Sequence, residues 1–70
     1  MKKLYEVLES KTDIEIADLA KELFQLDEDG HLPKDGKVKD LMRENPDYNL
    51  MAIRNEIIWD STRRFVKLVK

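Results

Sequence analysis

The chain has no cysteine, two glycines, two prolines and one histidine in 70 residues. Without cysteine there is no disulfide and no thiolate metal site. A lone His31 cannot build a zinc site unless several carboxylates help it. The N-terminus "MKKLYEVLE" lacks the apolar core of a signal peptide, because Glu6 and Glu9 interrupt it. No apolar run approaches the length a membrane helix needs. The expectation is one intracellular, cytoplasmic domain over residues 1–70, with no membrane, metal or cofactor. A domain this short buries a small core. With disulfides and metals removed, support falls to tight helix packing or oligomerisation.

What is present is charge and apolar surface in equal measure, 40% and 41%. That balance fits a folded helical domain rather than a disordered tail. The net charge of −2 is unevenly placed. Residues 1–30 hold four lysines against nine acids, whereas residues 61–70 hold Arg63, Arg64, Lys67 and Lys70 and no acid. The two ends can attract each other within the fold or across a dimer. Alternatively the basic tip contacts an anion or nucleic acid. Four cations are a small electrostatic footprint, so such binding would be weak and salt-sensitive.

Helical spacing recurs along the chain. Leu4, Val7 and Leu8 follow i, i+3, i+4 within residues 2–9. Thr12 and Glu15 form a capping-box pattern, and Ile16, Ala17, Ala20, Leu23 and Phe24 then share a face. Val38, Leu41 and Met42 mark a third helix, ended at Asn45-Pro46 because the residue before proline leaves the helical region. In the last segment Leu50, Met51, Ile53, Ile57, Ile58, Phe65, Leu68 and Val69 fall in an arc roughly 160° wide. Asp47 is placed to cap that helix. A strand over 63–69 is the rival reading of its end. The fold expected is mainly α, with three shorter helices, a long C-terminal one, and a tight turn or minimal hairpin at 24–32.

"FQLDEDGHL" (residues 24–32) raises calcium, since three acids run into a glycine. With Gly30 at the sixth loop position, the first is Gln25, the ninth Pro33 and the twelfth Gly36. The first and last ligands are missing, so a turn is expected instead. His31 as a base would want an orienting acid and a nucleophile. Asp29 is near, but Ser10 and Ser61 lie in other segments. Glu56 and Asp60, at i, i+4, could do acid–base work. Arg63, Arg64 and Lys67 make an ordinary charged helix face the simpler reading. A helix-turn-helix made of "IADLAKEL" and "KVKDLMREN" fails on its connection. More than ten residues intervene where three or four are usual. No enzyme is expected.

Tyr48, Trp59 and Phe65 remain. Trp59 and Val66 lie beside the main apolar arc. Tyr48, Trp59 and Val66 are therefore the candidate protein interface, with self or another protein as partner. Core packing and base stacking are the other roles open to Trp59.

The chain also resembles a known family. The residues are Leu19-Ala20, Phe24-Gln25-Leu26-Asp27, Gly30 and Leu32, then Ala52-Ile53, Asn55, Ile57, Thr62-Arg63, Phe65, Lys67 and Leu68. They are similar to the C-terminal portion of uncharacterised proteins of Mu-like transposable phages and prophages. Asn55 stands there for an acid, Phe65 for tyrosine and Lys67 for arginine. Family members are much longer, so the resemblance implies a C-terminal module in a phage-related intracellular setting. It brings no activity with it. The function expected is a non-catalytic interaction module, with weak nucleic-acid binding as the alternative.

Overall fold

Thr12 does what its spacing from Glu15 predicts. Its hydroxyl accepts from the Glu15 backbone N–H at 3.2 Å, and the Glu15 carboxylate accepts from the Thr12 N–H at 3.0 Å. That reciprocal cap starts the longest helix among the described residues, of 17 residues. A computed structural model describes residues 3–66. Among them are four helices and no strand: α1 (Leu4–Glu9), α2 (Asp13–Asp29), α3 (Lys37–Glu44) and α4 (Leu50–Phe65). The fold is mainly α. None of the helices is long and apolar enough to cross a membrane.

Helix α4 packs against α1 and α2, and α3 packs on α2. The core is Leu4 and Leu8 from α1, Ile16, Leu19 and Leu23 from α2, Leu32 from the connector, Val38 and Leu41 from α3, and Ile53 and Ile57 from α4. On α2 the buried stripe is turned from the one the sequence suggests. Leu19 takes the inner position, and Ala17 and Phe24 face outward. On α4, Met51 and Ile58 of the expected arc are exposed, Leu50 and Phe65 are half-buried, and Asp60 is inside.

The ends of the elements carry three further corrections. First, of the turn or hairpin expected at 24–32, the turn is present but confined to Gly30, and there is no hairpin. Helix α2 continues through Phe24–Asp29, and the chain reverses at Gly30, whose φ of 82° is the left-handed value glycine tolerates. Second, Asn49 rather than Asp47 caps α4, accepting from the Ala52 N–H at 2.9 Å. Third, Arg63–Phe65 are helical and Val66 closes a tighter turn, so the strand reading fails there. The remainder of that stretch, with Leu68 and Val69, lies outside the described residues.

Helix α3 borrows its cap from another helix. The Glu22 carboxylate of α2 accepts from the backbone N–H groups of Lys37 and Val38, each at 2.9 Å. These are donors at the helix start that have no intrahelical partner. Gly36 makes the approach possible through space rather than torsion, because its φ of −79° suits any residue. A Cβ there would lie 2.6 Å from Glu22 Oε1 and 3.1 Å from Pro33 Cβ.

Gly36→Ala should therefore lower stability in urea unfolding by about 1 kcal/mol, the worth of a helix cap. In a Glu22→Ala background the same change should be neutral or slightly stabilising, since alanine also restricts the unfolded chain. An equal loss in both backgrounds would show that the alanine does not act by displacing the cap.

Candidate functional site

Arg64 sits one turn beyond Asp60 on the inward side of α4. On a helical projection Ile53, Ile57, Asp60 and Arg64 fall within roughly 60° of one another. The core stripe of α4 thus ends in an ion pair. Asp60 is only 3% exposed, and its carboxylate accepts from Arg64 Nε and, at 3.5 Å, faces the Arg63 guanidinium. The sequence reading placed Asp60 with Glu56 on a solvated charged face. In the structure Asp60 is buried, while Glu56 lines a separate groove with Tyr5 and Tyr48.

The rest of the Arg64 guanidinium reaches across to α1. Its Nη2 donates to the carbonyls of Leu8 at 2.9 Å and Glu9 at 3.3 Å. Its Nη1 donates to the carbonyl of Lys11 and to the Asp13 carboxylate, both at 2.8 Å. All five N–H donors of an arginine are thereby matched. Burial is the largest influence on Arg64 and favours its neutral form. The hydrogen bonds to Asp13 and Asp60 outweigh it and raise the arginine above its ordinary value.

This geometry decides the fate of the basic tip. Arg64 is committed to the fold and Arg63 leans on Asp60. Lys67 and Lys70 lie outside the described residues. The tip is therefore not a cluster of outward cations as far as it is described.

The candidate interface divides. Trp59 is 63% exposed and lines a groove with Thr62, Arg63 and Val66. Tyr48 is half-buried against the core elsewhere and does not join them. The Trp59 groove shares Thr62 and Val66 with one of similar size between α2 and α4, of about 600 Å³. Ala17, Ala20 and Phe24 form its α2 wall, and Thr62, Phe65 and Val66 its α4 wall. Phe24, expected in the core, is 69% exposed and is the largest apolar group on that wall. Sequence reasoning missed this role because Phe24 lies at the edge of an apolar stripe, where a small rotation of α2 exchanges inside for outside.

The catalytic candidates do not assemble. The hydroxyls of Ser10 and Ser61 donate to the carbonyls of Val7 and Ile58, each three residues earlier in the chain. His31 lines a groove that contains neither serine. Asp27 belongs to α2 and pairs with Arg54 at 3.4 Å. Among the described residues no three His, Cys, Asp or Glu side chains are grouped to hold a metal. The chain matches no protein-family model, no curated protein and no solved structure.

Arg64→Ala should cost about 3 kcal/mol, the low end for breaking a buried pair, since it leaves Asp60 only the longer contact to Arg63 and uncaps α1. Arg64→Lys should recover only part, because an ammonium lacks the planar fork. Amide exchange at Ser10 and Lys11 should accelerate in both variants. Unchanged exchange there would mean that Arg64 does not hold α1.

Two acids outside this cluster set an acid limit. Backbone and side-chain hydrogen bonds from Thr12 hold Glu15 below its ordinary 4.5. The hydrogen bond from Lys37, 2.6 Å away, holds Asp18 below its ordinary 3.8, and the same bond raises Lys37 above 10.5. Depressed acids contribute stability above their unfolded values and lose it as pH falls through the folded ones. The raised lysine contributes below its unfolded value and loses it as pH rises through the folded one. Thermal stability should therefore be flat near neutrality, fall as pH drops below 4.5, and fall again above 10.5. Glu15→Gln with Asp18→Asn should flatten the acid limb, and an unchanged limb would refute the assignment.

Proposed function

We propose that the chain is a non-catalytic interaction module of a phage or prophage protein, and that it self-associates through the α2–α4 face. The observation that carries this reading is the apolar groove walled by Phe24 and Phe65 and continued by Val66 and Trp59. Ile58 adds exposed apolar surface one turn before Thr62. Together these side chains leave roughly 400–500 Å² of apolar area uncovered, judged from the size of aromatic and aliphatic side chains. That is within the range of the largest patch on a typical monomer, where such patches are often functional.

The magnitude also sets the strength. Two such faces would bury roughly 900 Å², below the usual size of a stable complex. The association proposed is therefore weak and concentration-dependent. Support for the phage setting comes from the sequence likeness. Its Ala20, Phe24, Thr62 and Phe65 line this groove, and its Leu19, Leu32 and Ile57 are core. The alternative, nucleic-acid binding through Arg63, Arg64, Lys67 and Lys70, is weakened by the internal commitment of Arg64.

Sedimentation over a wide concentration range tests the proposal. The weight-average mass should rise with concentration, and Trp59 emission should shift to the blue with it. Trp59→Ala and Phe24→Ala should each abolish the rise while leaving helicity intact. A monomer at every concentration, with Trp59 emission unchanged, would overturn self-association.

A further inference from the structure

A second apolar groove, of about 500 Å³, shares no residue with the α2–α4 face. Its floor is Leu26, Leu32, Met42 and Leu50, from α2, the connector, α3 and α4. Gly30 creates it, because the reversal there brings Leu32 back beside Leu26. Its rim is His31 and Lys34 from the connector and Lys39 and Arg43 from α3.

The rim contains no acid, in a chain with fifteen of them. Helix α3 shows how this sorting arises. Lys39 and Arg43, four residues apart, flank Met42 on this groove. Asp40 and Glu44, also four apart, line a different groove with Lys11, Glu15 and Lys37. Arg43 is bonded to Asp40. Among the described residues no ion pair engages Lys34 or Lys39. The result is an aliphatic floor between two cationic walls.

We propose that this groove binds a linear acidic peptide segment with an apolar anchor. The anchor enters between Leu26, Leu32, Met42 and Leu50, and flanking Asp or Glu side chains meet Lys34, Lys39 and Arg43. Met42 suits such a role, since its flexible thioether adapts to anchors of different shape. An amphipathic helix that lays its apolar face into a groove is a common way to read a peptide. A fatty anion has a single carboxylate, whereas these cations stand on two elements. Nucleic acid offers many charges, but no aromatic ring lines the floor for a base to stack on.

The test is a displayed library of short random peptides, selected against the whole chain. The strongest selected peptide is then titrated into isotope-labelled protein by NMR. Selected peptides should combine a large aliphatic or aromatic residue with at least a pair of acids. The titration should move the amides of Leu26, His31, Leu32 and Met42. Lys34→Glu with Lys39→Glu should weaken binding about tenfold or more, because two attractions become repulsions. Helicity should be retained, and Trp59→Ala should leave the affinity unchanged. Selection of peptides without acids would overturn the proposal, as would shifts confined to the Trp59 face or affinity indifferent to the two lysines. Binding of decanoate or a single-stranded oligonucleotide in this groove, with no peptide selected, would assign it to another ligand and equally overturn it.

Discussion

Helix α1 is six residues long, well short of what a free helix needs to outweigh its nucleation cost. It exists because the carbonyls at its C-terminus find donors. Ser10 supplies its N–H to Glu6 and its hydroxyl to Val7. Arg64 supplies the donors for Leu8 and Glu9 from the far end of the chain. The same guanidinium neutralises buried Asp60, so a single side chain satisfies a helix end and a charge together. Neither group would be tolerable alone. A domain of this size has only about 4–10 kcal/mol of net stability, so one such cluster can decide whether α1 docks at all.

Thinness explains why so much apolar surface stays outside. The described residues extend 34 × 33 × 17 Å along the principal axes, room for about two helix layers in the shortest direction. In so flat an arrangement each helix covers its neighbours on one side and leaves the other to solvent. Leu8, Ile16, Ile53 and Ile57 can be sealed completely, but the next ring of side chains cannot. Phe24, Trp59 and Ile58 are that next ring. Their exposure follows from a core that is too small to take them.

The legible parts of the fold were those with local causes. Thr12 with Glu15, the Asn45-Pro46 stop and the Leu4–Leu8 and Val38–Leu41 spacings act within one turn of chain. Each appears where its residues place it. The Asp27-Glu28-Asp29 run was read as part of a turn, yet α2 continues through it, although acids at a helix C-terminus oppose the dipole at about 0.3–1 kcal/mol each. Burial of Leu26, the pairing of Asp27 with Arg54 and the Gly30 cap outweigh that cost. Asp60 and Glu22 were illegible for a different reason. Their partners lie on other segments, and a carboxylate reads as solvated until its donor is known. Of the three residues put forward for an interface, Trp59 and Val66 line one groove, whereas Tyr48 lines another.

The span of the Arg64 bonds has a consequence for synthesis. The guanidinium closes on a carbonyl 56 residues earlier in the chain. At a ribosomal rate of about 5–20 residues per second, the end of α1 waits roughly 3–11 s for its donor. During that interval Leu4 and Leu8 have no α4 to rest on. Their burial is completed only when α4 arrives. The end of α1 is thus finished by bonds among the longest in sequence span that the described residues make.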